Sequence, residues 1–145
     1  MVDESGVDVD LVGSNLNRSV TLVGANLAVF TFTLFFLYPR YASGQVNGVL
    51  FQMTLASTLL AIFLFGICGV CYFEVVGVAK ASLERKRMLV KRGDTLFVLS
   101  LLLGTAEPAL ILYTVGIVPI AILATLLWAL YAGFIVQQGR KLRAG

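Results

Sequence analysis

The sequence predicts an all-α polytopic integral membrane protein, a four-transmembrane-helix bundle built from two antiparallel hairpins. Of the 145 residues, 59% are hydrophobic and only 13% are charged, whereas a soluble domain carries about 25% charged residues. A soluble chain of this length also leaves much of its surface in water, so this many apolar side chains require lipid as their solvent. Four apolar runs divide the chain, and a helix satisfies its own backbone hydrogen bonds within a bilayer.

The first predicted span covers residues 19–38, which contain no charged side chain. At 1.5 Å per residue this run covers about 30 Å, the thickness of the hydrocarbon core. The acidic residues 1–17 are predicted to be a mobile tail, followed by a membrane domain over residues 18–145. Pro39 is expected to end the first helix because it lacks an N–H group. One of Ser14, Asn15 or Asn17 is expected to cap that helix.

The second predicted span covers residues 49–73 and is apolar throughout. No residue that strongly breaks a helix follows it before Gly93. We therefore expect the second helix to continue beyond the bilayer and to carry part of a basic segment, residues 80–92, into water.

The third and fourth predicted spans cover residues 95–113 and 118–137. Asp94 is expected to cap the third helix, since a carboxylate accepts hydrogen bonds from the first N–H groups of a helix. The link between the two spans, residues 114–117, is so short that it requires an antiparallel hairpin.

The basic segment is predicted to determine topology. Together with three basic residues near the C-terminus it holds nine of the eleven Lys and Arg residues. Because basic loops remain on the cytoplasmic side, we expect a multi-pass protein of the cell membrane with both termini in the cytoplasm. Such a segment can also bind anionic lipid headgroups. Its basic residues are Lys80, Arg85, Lys86, Arg87, Lys91 and Arg92.

Glu107 is the only charged residue within the third predicted span. An ionised carboxylate at the centre of a span costs about 2.5–3.5 kcal/mol on insertion scales, so Glu107 must be protonated, paired or in contact with water. Pro108 follows it and leaves the carbonyl of Gly104 without its usual helical donor. A carboxyl group beside a free carbonyl is suited to binding a cation or a proton.

Polar residues of the first two spans are predicted to lie near Glu107, and none of them is basic. They are Ser57, Thr58, Thr31 and, somewhat nearer the cytoplasm, Asn26. Three interpretations of Glu107 stay open. It is an ion or proton site, a protonated group that hydrogen-bonds across a helix interface, or a contact with another subunit.

The fourth span carries a stripe of small residues that recur every four positions and therefore share one helix face. Such stripes allow membrane helices to approach closely. We expect the stripe to pack against the third span or another protomer, and we expect a homo-oligomer or an assembly with other membrane subunits. The stripe consists of Ala121, Thr125, Ala129 and Gly133.

Cys68 and Cys71 form a CxxC motif, a spacing that permits an exchangeable disulfide. These two residues and the span count resemble the four-helix membrane thiol oxidoreductases, the vitamin K epoxide reductase and DsbB group. The resemblance implies a redox function for this cysteine pair. In that family a second cysteine pair in a loop shuttles electrons and the CxxC faces the outside. This chain has two cysteines in all, and its predicted topology places them toward the cytoplasmic side of the membrane. We therefore assign no catalytic role of that family to Cys68 or Cys71.

The leading functional hypothesis is a small transport or channel-like membrane protein with an intramembrane acidic site. The alternatives are a non-catalytic subunit of a larger membrane complex and a membrane thiol-disulfide redox protein. The chain has no histidine, no nucleotide-binding loop and no metal-ligand cluster, so neither a cofactor, a metal site nor enzyme activity is indicated. Basic and aromatic residues are not interleaved, which argues against nucleic-acid binding.

Overall fold

A computed structural model of the chain confirms the all-α membrane fold. It describes residues 8–77 and 82–144, with the side chains of residues 138–144 excluded. The described residues form four helices, each of them long and apolar enough to cross a membrane. The protein is therefore a multi-pass membrane protein. The helices are α1 (Val9–Ala42), α2 (Gly48–Gly77), α3 (Leu83–Thr114) and α4 (Val118–Ala144).

Helix α1 begins well before the first predicted span. The side chain of Asp8 caps it, because its Oδ1 accepts hydrogen bonds from the backbone N–H groups of Asp10 and Leu11 at 3.1 and 3.2 Å. The predicted caps were wrong, and residues 9–17 of the predicted tail belong to this helix. Residues 1–7 lie outside the described residues.

Pro39 does not end α1, contrary to the prediction. It lies within the helix, and its own carbonyl still accepts a hydrogen bond from the N–H of Ser43 at 3.1 Å. Proline removes only its own donor, so the helix continues to Ala42. The chain turns at Gly44, whose φ of 72° is a left-handed conformation that suits glycine.

The division between the second and third helices also differs from the prediction. Helix α2 ends at Gly77, and α3 runs unbroken from Leu83 through Gly93. The described part of the basic segment therefore belongs to the start of α3, and Lys80 lies outside the described residues. Asp94 lies inside α3 and accepts a hydrogen bond from the hydroxyl of Tyr72 at 2.6 Å, so it does not act as a cap.

The short link between α3 and α4 confirms the predicted hairpin. Helix α3 ends at Thr114 and α4 begins at Val118. The N–H of Ile117 donates to the carbonyl of Leu112 at 2.9 Å, and Gly116 supplies the positive φ of 81° that this turn requires.

The chain divides into two compact units, and α1, α2 and α3 each contribute to both. Unit 1 comprises Met1–Ala28 and Leu59–Leu101, and unit 2 comprises Val29–Thr58 and Leu102–Gly145. The core of unit 1 is centred on buried Cys68 and Tyr72. The interior of unit 2 is more polar, because five of the nine buried side chains described in it are threonine or glutamate. These five are Thr33, Thr54, Thr58, Glu107 and Thr114.

Candidate functional site

Glu107 lies in the α3 segment of unit 2 and has an exposed fraction of only 3%. Its Oε1 atom has no hydrogen-bond partner among the described residues. Pro108 lies within the same helix with its ring exposed, and half-buried Gly104 is one turn earlier. Because proline has no N–H, Pro108 leaves the carbonyl of Gly104 without its usual helical donor. Glu107 is therefore a buried acid with unused hydrogen-bonding capacity.

The side chain of Thr58 is a polar neighbour of the Glu107 carboxyl group. Its hydroxyl donates to the carbonyl of Thr54 at 2.9 Å. A threonine hydroxyl has a single hydrogen, so in this arrangement it offers only lone pairs to Glu107. Thr58 can thus accept a hydrogen bond from a protonated carboxyl group, or it can share a cation with a carboxylate.

Thr33 is fully buried in α1, and its Oγ1 atom has no hydrogen-bond partner among the described residues. Elsewhere in the described chain, the hydroxyls of buried serine and threonine residues donate to the carbonyl oxygen four residues earlier, at 2.6–2.9 Å. Thr33 does not, so its hydroxyl remains available for another partner. The hydroxyls bonded in this way are those of Ser19, Thr54, Thr58, Ser100 and Thr114.

Two contacts within unit 2 fix the register of its helices. The rings of Tyr41 in α1 and Phe51 in α2 stack with their centroids 4.8 Å apart. The hydroxyl oxygens of Thr54 in α2 and Thr114 in α3 lie 3.2 Å apart, so one hydroxyl can donate to the other in place of the carbonyl of its own helix. Both α1 and α3 can therefore be aligned against α2.

Thr33, Thr58 and Glu107 lie at similar depth in unit 2. Depth along the helices is counted at 1.5 Å per residue from the level of Phe51, with α1 aligned through Tyr41 and α3 through Thr114. On this count Thr33 lies about 12 Å, Thr58 about 10.5 Å and Glu107 about 15 Å from that level. The three are thus within about 5 Å of one another in depth, and all three side chains are buried. Two atoms at this level, the Oε1 of Glu107 and the Oγ1 of Thr33, have no partner in the described structure.

The remaining residues that the sequence associated with Glu107 are placed differently. Thr31 is exposed, and Ser57 is partly buried. Asn26 is buried, but it belongs to unit 1, where its Nδ2 donates to the carbonyl of Leu22 at 2.8 Å. Within unit 2 the structure therefore makes Thr58 a neighbour of Glu107, and Thr33, which the sequence analysis did not identify, is buried at a similar depth.

A repeat in α1 is the signal that could have identified Thr33. Polar residues that are buried in the structure recur every seven positions, at Ser19, Asn26 and Thr33. A seven-residue period keeps side chains on one packed face of a helix. Thr31 lies two positions from Thr33, about 200° around the helix, and therefore on another face.

The small-residue stripe of α4 is buried only near its start. Ala121 is fully buried, while Ala129 and Gly133 are exposed. Thr125 is half-buried, and its hydroxyl donates to the carbonyl of Ala121 at 2.8 Å. Trp128 joins α4 to α3, because its Nε1 donates to the carbonyl of Leu102 at 2.9 Å.

The cysteines contribute to the interior of unit 1. The thiol of Cys68 is fully buried and donates to the carbonyl of Gly93 at 3.2 Å. It also lies 3.5 Å from the hydroxyl of Ser19. Cys71 is half-buried, and neither sulfur is in a disulfide. The contacts of Cys68 are those of a packed helix interface.

Most side chains of the described basic segment face outward. Arg85 forms an ion pair with Glu74 at 3.4 Å, and both groups are substantially exposed, so the pair contributes little to stability. Lys86 is buried in unit 1. The exposed members of the segment are Arg85, Arg87, Lys91 and Arg92.

The hydrogen bond between Thr54 and Thr114 allows a test of helix packing in unit 2. We expect the double change Thr54→Val with Thr114→Val to show a coupling energy of about 0.6 kcal/mol, the average for such bonds in a membrane protein. Reversible unfolding in mixed micelles measures it. The hydroxyl of Thr125 bonds only within its own helix, so pairing Thr54→Val with Thr125→Val should give additive effects. If the effects of Thr54→Val and Thr114→Val on stability are additive as well, the assigned contact is contradicted.

Comparison of the chain with protein-family models, with curated proteins and with solved structures finds no match in any of the three.

Proposed function

We propose that this protein transports protons or monovalent cations across the membrane and that Glu107 is their binding site. The observation that carries the proposal is the burial of this acid in a membrane span, with one carboxylate oxygen unpartnered in the described structure. Ionisable residues inside membrane spans are costly, and they commonly mark ion or proton pathways.

The surroundings of Glu107 support a mobile cation as its partner. No basic side chain is buried in the described part of unit 2, and the buried Lys86 belongs to unit 1. The described part of unit 2 therefore offers no buried positive charge to pair with Glu107, and we infer that a proton or a mobile cation neutralises it. The hydroxyls of Thr33 and Thr58 supply neutral oxygen atoms at similar depth, and oxygen ligands are those that hard cations prefer.

The chemistry favours singly charged species over divalent metal ions. Protein sites for Ca²⁺ usually combine several carboxylates with carbonyl oxygens. The described residues contain no group of three or more His, Cys, Asp and Glu side chains that could hold a metal ion. A single carboxyl group with two neutral hydroxyls suits a proton or a monovalent cation.

The basic residues suggest the orientation of this pathway. The positive-inside rule places the start of α3 and the C-terminal end of α4 in the cytoplasm. Glu107 lies seven residues before the end of α3, so with this orientation it would lie in the half of the membrane that faces outward. Ions would thus reach Glu107 from the outside past Thr54 and Thr114.

Flux into proteoliposomes tests the proposed activity. Purified wild-type protein, reconstituted alone, should increase the flux of protons, Na⁺ or K⁺ down an imposed gradient relative to protein-free liposomes. A pH-sensitive dye and ion-selective electrodes report these fluxes separately. If folded protein leaves the flux of all three ions at the protein-free level, the chain by itself is not a transporter.

The exposed face of α4 favours a second candidate function, that of a non-catalytic subunit in a larger membrane complex. Only 6% of the residues in the α4 span are buried, compared with 33% in α2. The space around Gly133 is open, since a Cβ atom added there would have no neighbour within 4 Å, so another helix could approach closely. Native purification in a mild detergent tests this candidate. The protein should then co-purify with a stoichiometric partner or a second copy of itself, and Gly133→Leu should abolish that association.

A further inference from the structure

Unit 1 contains a groove of about 850 Å³ along the first four turns of α1. One wall is polar and follows a single face of α1, where residues three or four positions apart are neighbours. The other wall is apolar and is formed by Leu22 together with Val76 of α2 and Phe97 of α3. The polar wall consists of Asp10, Ser14, Asn17, Arg18 and Thr21.

Arg18 is the cation of this groove. Its exposed guanidinium group has no hydrogen bond or ion pair within the described part of the chain. It immediately precedes the apolar run of residues 19–38, which places it where the lipid headgroups meet the hydrocarbon core. Asp10, at the other end of the polar wall, already has a polar partner within the chain.

We propose that this groove binds one phospholipid, with the lipid phosphate paired to Arg18 and an acyl chain lying along Leu22 and Phe97. A guanidinium group presents paired N–H donors that match a phosphate. The amide of Asn17 and the hydroxyl of Ser14 add neutral donors beside it. The apolar wall begins within one turn of Arg18, so one amphipathic molecule satisfies both walls.

This inference is independent of the transport function and of Glu107, which lies in unit 2. It also differs from attraction of lipid to the basic segment, because it requires one bound molecule at a defined position. The amount of exchangeable lipid held by surface charge alone depends on the number of basic residues. Lipid binding in the groove depends instead on Arg18.

Native mass spectrometry of the detergent-purified protein, titrated with palmitoyl-oleoyl phosphatidylglycerol, tests the proposal. Wild-type protein should retain one lipid per chain, and Arg18→Gln should weaken binding about tenfold, as expected for loss of a charged hydrogen bond. Arg40→Gln is the matched control, because Arg40 is exposed and does not line the groove. Equal loss of lipid from both variants, or no loss from Arg18→Gln, would overturn the proposal.

Gly13→Leu provides a second variant that keeps the charge and fills the groove. Gly13 lines the groove, and a Cβ atom at this position would have no neighbour within 4 Å, so the fold should tolerate the change. We expect lipid retention to fall in this variant while helix content by circular dichroism is unchanged. Retention at the wild-type level would contradict a lipid in the groove.

Two further probes identify the recognised group. Palmitoyl-oleoyl glycerol, which has the same acyl chains without a phosphate, should bind at least tenfold more weakly than the phospholipid. Binding of equal strength would overturn phosphate recognition. Inorganic phosphate at millimolar concentration should not displace the lipid. If it does, and phosphate stays bound to the protein, the groove is a site for free phosphate and the proposal is overturned.

Discussion

Replacing Gly93 with alanine is expected to destabilise the protein by about 1–3 kcal/mol, the typical cost of overpacking an interior. A Cβ atom at Gly93 would lie 2.7 Å from Cε1 and 3.0 Å from Cζ of Tyr72. Contacts below 3.0 Å force a displacement. In an exposed helix the same change would be stabilising by about 1 kcal/mol, since alanine is the better helix former.

The ring of Tyr72 is held where it would meet the new methyl group. It is almost fully buried, and its hydroxyl donates to Asp94 at 2.6 Å. It also belongs to the core cluster of unit 1, with Val12, Cys68 and Val75. Moving the ring would break its hydrogen bond to Asp94 or disrupt the packing of the core cluster. Relieving the clash therefore costs stability.

Reversible unfolding in mixed micelles measures the effect of Gly93→Ala, with Gly66→Ala as the matched control. Gly66 is in unit 1 and on a helix, but a Cβ atom there would have no neighbour within 4 Å. We expect Gly66→Ala to be neutral or slightly stabilising. Equal stability of the two variants would show that the ring of Tyr72 does not pack against Gly93 as described.

The number and type of the helices could be predicted because membrane insertion depends on the length and polarity of each apolar run. The helix ends could not be predicted as well, since several residues compete for each role. Asp8 caps α1 ahead of the serine and asparagines that follow it. Pro39 and Gly93 both disfavour a helix, but neither ends one here, and both remain inside helices.

Glu107 could be predicted as a notable residue because it is the only charge in its apolar run. Its neighbours were harder to predict, because residue counting gives depth in the membrane but not the direction in which a side chain points. Thr31 and Thr33 are both near the right depth, and only Thr33 is buried. The stripe of α4 shows the same limit, since its spacing is regular but only Ala121 is fully buried.

Replacing Glu107 with glutamine is expected to reduce flux to the level of protein-free liposomes. Glutamine has nearly the shape of glutamate and can still hydrogen-bond to Thr58, but it cannot bind and release a proton or balance the charge of a cation. The variant should fold at least as stably as the wild type, because a neutral amide costs less than a carboxylate within the membrane. Loss of flux would therefore arise from the missing ionisable group.

The matched control is Glu84→Gln, which removes the same charge from an exposed site. Glu84 lies in the first turn of α3, in unit 1. Its replacement removes the same ionisable group as Glu107→Gln and leaves unit 2 intact. We expect this control to retain the flux of the wild type.

The most direct measurement of the transport site is therefore parallel flux into proteoliposomes that contain equal amounts of wild-type, Glu107→Gln and Glu84→Gln protein. Yield and elution volume on size exclusion show that all three proteins fold alike. The proposed site predicts flux in the wild type and in Glu84→Gln and none above background in Glu107→Gln. Wild-type flux in the Glu107→Gln protein would contradict it, because transport would then proceed without the buried carboxyl group.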